Sequence, residues 1–502
     1  MHADFPLEDN GPERFLDALD DYQGRIYDLD CGEVIAPAAL QDGWKKLVRR
    51  FGEFGLCPGD RIVVAVSNGP LFIAVWGAIL VCGGSPIPVH FETPPTELNR
   101  IACRFHAATI VTDQHRETAM ETAESHAYSL ECSSWGRLVW TDVYVDGRNP
   151  GVDAVLQLPG VPLHPTSGTT GDPKLAVRPM RTAIAEIDNY VNTFGIDADD
   201  TILGMTPMSH AFAHGFCVLG PIMTGADLAI MKKFRPELIA KACSELNVTI
   251  IAAVAGVLDT LLFIGGAALK TSPRKIFSGG GPLSERTARQ FQKVAGIVPR
   301  PLYGATETGG IAVAGEGELC VDGRIGQPFD GVTVELVDGD PSPENGNGKM
   351  SMIRVRAKSL MVGYLIGEEI DTSSIHDGWY ETGDLGYRNS DGSLYLCGRE
   401  AEVVNVSGMK VLPREVEEVI LGLRNVREVK VFGHRNQAGA YQIRAAVVGE
   451  GLAIEDIHRH CREQLVYYKR PAKIIILGAL PKNANGKVIL SELIEQVRGE
   501  LS

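Results

Sequence analysis

The sequence predicts an α/β fold, with a large N-terminal domain of doubly wound, mostly parallel sheets plus an antiparallel β subdomain, and a small C-terminal α+β domain. Short β-branched runs alternate with helical patterns over the first two-thirds of the chain, which is typical of parallel sheets covered by helices. With 502 residues, the chain is also longer than one hydrophobic core usually supports. We therefore expect at least two domains.

The elements of the parallel region follow in order. Apolar runs predict strands at residues 61–66, 108–112, 201–206, 226–231 and 248–254, and helical patterns cover residues 236–246 and 284–296. The most apolar window, residues 71–84, is shorter than the roughly 20 residues that a membrane span needs. It predicts a buried helix that runs into a buried strand, and no membrane span.

The pattern changes towards the C-terminus. From about residue 315, short strands separated by Gly, Asp and Asn turns predict the antiparallel subdomain. After Gly398 and Arg399, about a hundred residues form a separate succession of predicted elements. Helices are predicted at 413–423 and 454–465, and strands at 426–434, 442–449 and 473–478. The predicted domains are residues 1–398 and 403–502, joined by a hinge at 399–402.

Composition narrows the class of protein. The 48 basic and 63 acidic residues give a net charge of −15, which argues against a dedicated nucleic-acid binder. The 10 cysteines form no C-x-x-C pair, so they predict scattered, reduced thiols and no zinc site. The acidic, proline-broken start lacks the pattern of an export signal. A cytoplasmic location is expected.

The sharpest motif is HPTSGTTGDPK, at residues 164–174. Its glycines let backbone N–H groups turn towards an anion, its hydroxyls add donors, and Lys174 supplies a positive charge. Such a loop suits a polyphosphate. It differs from the Walker pattern, because a proline precedes the lysine and a leucine follows it, and this excludes a P-loop kinase. A serine hydrolase is poorly supported, because G-x-S-x-G fails around Ser278.

Three further stretches carry polar groups where elements end. SGGGPLS at residues 278–284 offers a flat backbone that a ligand can approach closely. YGATETGG at residues 303–310 offers an aromatic face, a hydroxyl and the Glu307 carboxylate, which suit a base, a phosphate and Mg²⁺ respectively. GWYETGDLG at residues 378–386 is predicted to place Asp384 in a tight turn, where it could accept both hydroxyls of a ribose.

Together and in this order, the motifs resemble those of the class I adenylate-forming enzymes, which include acyl- and aryl-CoA synthetases, luciferases and peptide-synthetase adenylation domains. GDRIVVAVSNGP, GREAEVVNVSGMKVLPREVEEV and YYKRPAKIIILGALPKNANGKV extend the resemblance over nearly the whole chain. It implies a mobile C-terminal domain and a two-step reaction. A carboxylic acid and ATP–Mg²⁺ give an acyl-adenylate and pyrophosphate, and a thiol, CoA, then gives the thioester and AMP.

The resemblance also implies roles for individual residues. The expected ATP- and AMP-binding residues are Thr166, Ser167, Gly168, Thr169, Thr170, Gly171, Lys174, Gly279, Gly280, Gly281, Tyr303, Gly304, Thr306, Asp384, Arg399 and Lys487. Within this set, the loop clamps the β- and γ-phosphates, Tyr303 and the glycines enclose the adenine, and Asp384 and Arg399 bind the ribose. Thr306 holds the α-phosphate, and Glu307 is the Mg²⁺ ligand.

The expected catalytic residues are Lys487, His210, Thr306 and Glu307. Lys487 follows an Asn–Gly turn, from which its ammonium would bridge the substrate carboxylate and the α-phosphate. PMSHAFAHGF, at residues 207–216, resembles the segment near the acyl carboxylate, where His210 would shape or gate the pocket. His214, one helical turn further on, is the weaker candidate, because a histidine among apolar residues is more often structural.

An apolar pocket and a passage for CoA complete the expected site. The pocket residues are His210, Phe212, His214, Val254, Gly256, Gly304, Gly309 and Gly310, and they favour a hydrophobic aryl or alkyl acid over an amino acid. The pantetheine arm would pass Ser407, Gly408 and Met409.

The sequence departs from the family pattern at two positions. The hinge residue is Ala401, followed by Glu402, where the family usually has Asp or Lys. Lys349 stands where the family usually has Glu. Both departures leave open the loss of one half-reaction.

Three functions therefore stay open: a CoA ligase for a small carboxylic acid; an enzyme that loads a carrier protein or retains one half-reaction; and an AMP sensor without ligase activity. A homodimer is expected by analogy of fold alone.

Overall fold

The computed structural model describes residues 11–113, 127–131, 135, 137–142, 160–166, 174–265, 269, 273–319, 323–337, 351–367, 369–406, 409–435, 441–483 and 488–500. The chain divides into two units. The first contains Met1–Cys320, Gln327–Val334 and Val355–Tyr380, and the second contains Val321–Gly326, Glu335–Arg354 and Glu381–Ser502. The predicted boundary at residues 398–403 stays a prediction.

The helices are α1 (Gly11–Asp20), α2 (Pro37–Glu53), α3 (Pro70–Val81), α4 (Pro95–Arg104), α5 (Met180–Phe194), α6 (Ala211–His214), α7 (Gly220–Thr224), α8 (Pro236–Glu245), α9 (Ala255–Gly265), α10 (Glu285–Ala295), α11 (Pro413–Leu421), α12 (Ile454–Gln464) and α13 (Leu490–Gln496).

The strands are β1 (Ile26–Asp28), β2 (Glu33–Ile35), β3 (Arg61–Ala65), β4 (Ser85–Pro88), β5 (Thr109–Thr112), β6 (Ala127–Glu131), β7 (Arg137–Asp142), β8 (Leu163–Thr166), β9 (Lys174–Val177), β10 (Thr201–Gly204), β11 (Asp227–Ile230), β12 (Ile250–Val254), β13 (Lys275–Gly279), β14 (Arg300–Ala305), β15 (Gly309–Val313), β16 (Arg324–Pro328), β17 (Val332–Val337), β18 (Ser351–Ala357), β19 (Gly363–Ile366), β20 (Glu369–Asp371), β21 (Ile375–His376), β22 (Trp379–Arg388), β23 (Leu394–Arg399), β24 (Val404–Val406), β25 (Met409–Val411), β26 (Val426–Arg435), β27 (Tyr441–Gly449) and β28 (Lys473–Leu477).

The main sheet of the first unit is parallel in its centre. Its strands follow the order β1-β11-β10-β12-β13-β14, and each of these pairs is parallel. Leu203, Ile251 and Ile276 lie side by side in this sheet and are fully buried, because helices cover it, as parallel sheets require. The carboxyl ends of these strands meet at one edge, where ligands usually bind in open α/β sheets. The predicted parallel arrangement is confirmed.

A second sheet of the first unit has the order β4-β3-β5-β7-β6. The first three strands are parallel, and β7 and β6 continue the sheet as an antiparallel hairpin that the sequence did not indicate. Helix α3 is the predicted apolar helix, and it leads into β4. Within the described ranges, no helix is both long enough and apolar enough to cross a membrane.

A third sheet joins segments that are far apart in the chain. The hairpin of β8 and β9 pairs through β9 with β19, which in turn pairs with β20. Tyr364 of β19 lies opposite Ala176 of β9. This pairing brings the segment after residue 360 next to the strand that begins at Lys174.

The second unit contains the predicted C-terminal elements. The sheet β26-β27-β28 has an antiparallel first pair and a parallel second pair, which helix α12 connects. Helix α11 places Val416 and Ile420 in the core with Ile443 and Val447 of β27. The apolar positions of α11 recur at a helical spacing, which explains why the sequence predicted this helix correctly.

Candidate active site

The hairpin of β14 and β15 carries the predicted metal-binding carboxylate. Thr306, Glu307 and Thr308 form the turn between the two strands. Gly309 begins β15 with φ +71°, and a Cβ there would lie 2.4 Å from Cδ of Glu186. Only glycine fits this position without a shift, because its left-handed backbone and the close carboxylate both exclude a side chain. The first glycine of the TETGG motif is thus explained by packing.

One oxygen of Glu307 bonds to a buried tyrosine, and a second buried tyrosine lies next to the first. The hydroxyl of Tyr364 donates to Oε1 of Glu307 over 2.6 Å, and the hydroxyl of Tyr380 lies 3.2 Å from that of Tyr364. The backbone N–H of Met361 donates to the Glu307 carbonyl over 2.7 Å. Burial, and then the Glu307 charge, raise the pKa of Tyr364. This hydroxyl therefore stays protonated and serves as a donor.

Lys174 lies next to the same tyrosine. Its Nζ is 4.9 Å from the centre of the Tyr364 ring, a cation–π contact. The structure thus brings together Lys174 and Glu307, which were predicted for the phosphates and the metal, around one side chain. Tyr364 was not among the predicted site residues.

The ends of the predicted phosphate loop are also adjacent. Thr166 pairs with Lys174 across the β8–β9 hairpin, and its hydroxyl donates to the Lys174 carbonyl over 3.5 Å. The five loop residues Ser167, Gly168, Thr169, Thr170 and Gly171 lie outside the described residues. Their role stays a prediction.

Behind the Glu307 turn lies an ion pair that the sequence did not reveal. Arg178 Nη2 lies 2.8 Å from Glu186 Oε2, and the two side chains are 2% and 3% exposed. The hydroxyl of Tyr190 donates to the other Glu186 oxygen over 2.7 Å. Arg178 Nη2 also donates to the Ser359 carbonyl over 3.2 Å. The Ser359 hydroxyl in turn donates to the Thr308 carbonyl over 2.7 Å, so the network reaches the backbone of the Glu307 turn.

Several predicted pocket residues meet at the end of β13. A Cβ on Gly279 would lie 2.7 Å from the Phe212 ring, and one on Gly280 would lie 3.5 Å from Val254. Phe212 also packs edge-to-face against buried Phe216. In the described part of the chain, no atom lies within 4 Å of the Cβ positions of Gly281 and Gly256. The described geometry thus groups Phe212, Val254 and the first two glycines.

The two histidines of residues 207–216 have different surroundings. Nε2 of His210 is buried and has no hydrogen-bond partner among the described residues, and burial, followed by repulsion from His90, lowers the His210 pKa to about 4. His214 is 3% exposed and packs 4.3 Å from the Trp76 ring. Its Nδ1 lies 3.3 Å from the Met208 carbonyl. Burial lowers the His214 pKa to about 3, so both imidazoles are neutral near pH 7.

Buried neutral histidines make stability depend on pH. His164 is also 3% exposed, its ring lies 5.4 Å from that of His214, and burial lowers its pKa. The unfolded chain binds a proton at each site below about pH 6.5, while the folded chain does not. The free energy of unfolding should therefore fall as the pH drops below 6.5, by about 1.4 kcal/mol per pH unit and histidine at most.

Urea unfolding at pH 7.5, 6.0 and 5.0 measures this dependence. We expect His214→Phe to make the decline shallower by about 1 kcal/mol per pH unit, and His376→Phe, at an exposed histidine, to leave it unchanged. Equal declines in wild type and His214→Phe would contradict the prediction.

In the second unit, the two predicted ribose-binding residues are in contact. Asp384 lies opposite Arg399 in the β22–β23 pair, and Arg399 Nε is 3.2 Å from Asp384 Oδ1. The predicted tight turn at Asp384 is wrong, because β22 runs through this residue. The turn comes earlier, at Asp377 and Gly378, which both have positive φ. The Gly and Asp of the motif suggested a turn, but cross-strand pairing overrides this local preference.

The predicted hinge contains a polar contact that Ala401 cannot make. Residues Glu400–Glu402 form a 3-10 turn, and the Glu402 carboxylate lies 3.5 Å from Lys430 Nζ. Glu417 lies 3.1 Å from the same nitrogen. Burial lowers the pKa of Lys430, but the two carboxylates outweigh it, and the net pKa is raised. Glu402 thus supplies an ion pair next to the position where the family usually has Asp or Lys.

The remaining predicted residues are described only in part. Met409 begins β25 and is 44% exposed, while Ser407 and Gly408, between β24 and β25, lie outside the described residues. Lys487 and Lys349 also lie outside them. Tyr303 is 7% exposed within β14.

Glu307 is the metal ligand that the sequence predicted. No group of three or more His, Cys, Asp or Glu side chains in the described ranges could hold a metal ion. Mg²⁺ in nucleotide sites is usually bound by one or two carboxylates together with phosphates and water. The Glu307 carboxylate, with Oε2 left beside the bonded Oε1, fits this mode of binding.

Comparison with known proteins identifies the family. The sequence model of the AMP-binding enzyme family matches residues 38–365. The chain belongs to the AMP-binding enzyme family. A second model, of the AMP-binding enzyme C-terminal domain, matches residues 415–487. The class I adenylate-forming superfamily expected from the motifs is therefore confirmed.

Relatives of this AMP-binding enzyme include CoA ligases. It is 32% identical to the 2-succinylbenzoate–CoA ligase of Bacillus cytotoxicus over 446 residues, which cover 87% of this chain and 88% of the relative. It is 25% identical to 4-coumarate–CoA ligase 1 of Oryza sativa subsp. japonica over 489 residues, which cover 89% and 85%. The crystal structure of ATP-bound MatB from Rhodopseudomonas palustris has the same fold, with a TM-score of 0.82, 22% identity and coverage of 99% and 100%.

Proposed function

We propose that this AMP-binding enzyme is an ATP-dependent acid–CoA ligase that forms acyl-CoA, AMP and pyrophosphate. Membership of the family over residues 38–365 carries the proposal. The names of the relatives, 2-succinylbenzoate–CoA ligase and 4-coumarate–CoA ligase, support CoA as the acceptor. The grouping of Lys174, Tyr364 and Glu307 supports a site for a metal-bound polyphosphate.

The proposed chemistry has two balanced steps. A carboxylate oxygen of the acid attacks the α-phosphorus of ATP, the bond from that phosphorus to the bridging oxygen breaks, and pyrophosphate leaves. The CoA sulfur then attacks the acyl carbonyl carbon, its proton goes to solvent, and AMP leaves. Both steps require positioning and stabilisation of negative charge more than covalent help from the protein.

Each predicted site residue has a proposed role in binding or in stabilising charge. Lys174 and the loop before it would bind the β- and γ-phosphates, and Thr306 would donate to the α-phosphate. Asp384 and Arg399 would bind the ribose. Lys487 would contact the substrate carboxylate and the α-phosphate. Mg²⁺, held by Glu307, would neutralise phosphate charge.

The acid is proposed to be hydrophobic, with an aryl or alkyl group. The pocket residues grouped at the end of β13 are apolar or small: Phe212 packs against Gly279, and Val254 lies beside Gly280. His210 is neutral near pH 7, because burial depresses its pKa to about 4. It would therefore not attract a second carboxylate by charge. These features favour an acid with an apolar body and a single carboxylate.

A pyrophosphate-release assay over a panel of acids tests the function. The panel contains benzoates, cinnamates, medium-chain alkanoates and dicarboxylates, each with ATP and Mg²⁺, with and without CoA. We expect acid-dependent pyrophosphate release, a CoA-dependent thioester, and higher kcat/KM for the apolar monoacids than for dicarboxylates. Heat-treated protein and omission of the acid serve as controls.

The other outcomes select the other functions. Pyrophosphate release without a thioester would contradict CoA as the acceptor and favour a carrier protein or a single half-reaction. AMP binding without pyrophosphate release for any acid would favour a nucleotide sensor. A preference for dicarboxylates would contradict the proposed apolar acid.

A further inference from the structure

We propose that Tyr364 is a positioning residue that orients the Glu307 carboxylate for a metal-bound nucleotide, and that Tyr380 holds Tyr364 in place. The inference rests on the proposed function insofar as Glu307 is taken as the metal ligand. Tyr364 itself contacts neither of the reacting atoms. Its contribution would be to the geometry of the carboxylate and of the neighbouring lysine.

The hydrogen-bond pattern assigns a direction to each hydroxyl. A phenol has one hydrogen, and Tyr364 commits it to Glu307 Oε1 over 2.6 Å. The Tyr380 hydroxyl, 3.2 Å away, is therefore the donor in the contact between the two tyrosines. This second donor polarises the Tyr364 O–H bond and strengthens the bond to the carboxylate. One carboxylate oxygen is thereby engaged, and Oε2 is left for a cation.

The backbone holds Tyr364 independently of its hydroxyl. Tyr364 pairs with Ala176 in the third sheet, and its side chain is 8% exposed in a cluster with Met361 and Tyr380. Removing the hydroxyl should therefore leave the ring in position. Phenylalanine is the matched replacement, because it changes only the donor.

Lys174 adds a second function for the ring. Its ammonium lies 4.9 Å from the ring centre, and the aromatic face attracts the cation without accepting a conventional hydrogen bond from it. This contact does not use the N–H donors of Lys174, which would be offered to the phosphates. One side chain places a cation for phosphate and a carboxylate for metal, two groups that a metal–nucleotide complex needs together.

Carboxylates that bind metals usually depend on such a hydrogen-bonding neighbour. Loss of the neighbour typically weakens metal binding about 10- to 100-fold. The effect expected here is near the lower end, because Lys174 and the Glu307 backbone bond to Met361 are retained. Binding of Mn²⁺ as a paramagnetic substitute for Mg²⁺ reports the carboxylate directly, without turnover.

The test compares Tyr364→Phe with a matched control. The control is Tyr22→Phe, since Tyr22 is 2% exposed and its hydroxyl donates to the Ala226 carbonyl over 3.0 Å, away from Glu307. Mn²⁺ binding is measured by electron paramagnetic resonance at saturating α,β-methylene-ATP, and the melting temperature is recorded for each variant.

We expect Tyr364→Phe to raise the Mn²⁺ dissociation constant about 10-fold and Tyr380→Phe to raise it by a smaller factor. Tyr22→Phe should leave it unchanged. In the acid-dependent assay, Tyr364→Phe should raise the Mg²⁺ concentration needed for half-maximal rate, with kcat largely restored at high Mg²⁺.

Each contrary result has a distinct meaning. If Glu307→Gln loses Mn²⁺ binding and Tyr364→Phe binds within twofold of wild type, the inference is wrong while the nucleotide site stands. If wild type and Glu307→Gln bind Mn²⁺ equally, both the metal site and the inference are overturned. An equal loss in Tyr22→Phe and Tyr364→Phe would attribute the effect to general destabilisation and would also overturn the inference.

Discussion

Lys487→Ala is expected to lower the rate of adenylate formation about 100- to 1,000-fold and to leave thioester formation from a supplied acyl-adenylate largely intact. Negative charge builds on the α-phosphate as the substrate carboxylate attacks it. An ammonium between the two groups stabilises that charge in the transition state. In the second step the phosphate is already part of the leaving AMP. The same lysine therefore has less developing negative charge to stabilise in that transition state.

The two half-reactions are measured separately. Acid-dependent exchange of labelled pyrophosphate into ATP reports the first step, and thioester formation from synthetic acyl-adenylate and CoA reports the second. Lys482→Ala is the matched control, because Lys482 is near in sequence and its Nζ lies 2.6 Å from the Glu428 carboxylate. An equal loss in both half-reactions would argue against the proposed role of Lys487.

Arg178→Met is expected to destabilise the first unit by about 3–5 kcal/mol. The substitution leaves Glu186 as a buried carboxylate without its counter-charge, 3% exposed and bonded only to Tyr190 among its described partners. It also removes the donor to the Ser359 carbonyl. The cost arises from the unpaired buried charge more than from the lost attraction.

A surface pair provides the comparison. Arg14 makes a double contact with a carboxylate, at 2.9 and 3.1 Å from the Asp188 oxygens, but it is 54% exposed. Arg14→Met should cost about 1 kcal/mol at most. The double variant Arg178→Met/Glu186→Leu should recover much of the stability, because no charge is then buried alone.

Urea unfolding at pH 7.5 measures all of these variants. Similar losses in Arg178→Met and Arg14→Met would show that burial does not set the cost. A double variant as unstable as Arg178→Met would show that the loss comes from packing around residue 178 and not from the charge of Glu186.

The hydrogen-bond network of Arg178 also reaches the turn that carries Glu307. It continues through Ser359 to the Thr308 carbonyl, and Gly309 packs directly against Glu186. Apolar residues could often replace a buried ion pair at no cost in stability, so the presence of this pair is consistent with a requirement to hold the Glu307 turn in one conformation.

Local sequence patterns were sufficient to predict the helices and strands named in the sequence analysis. Helix α3 and the strands β10 to β12 were predicted because continuous apolar runs of helix or strand length are typical of buried elements. Helices α10 and α11 were predicted because their apolar residues recur with helical spacing. The turn at Asp384 was wrong, since the preference of Gly and Asp for turns is weaker than the pairing of β22 with β23.

The order of the elements, the motifs around Lys174 and Glu307, and the family were determined by the sequence alone, because each depends on residues that are neighbours in the chain. Only the tertiary structure decided which polar groups meet. Tyr364 and Glu307 are 57 positions apart, and Arg178 and Ser359 are 181 apart. Such contacts depend on which strands pair and which side chains are buried together, and the periodicity of a short sequence segment does not reveal either. The polar partners that position the candidate site therefore became visible only when the strands were paired.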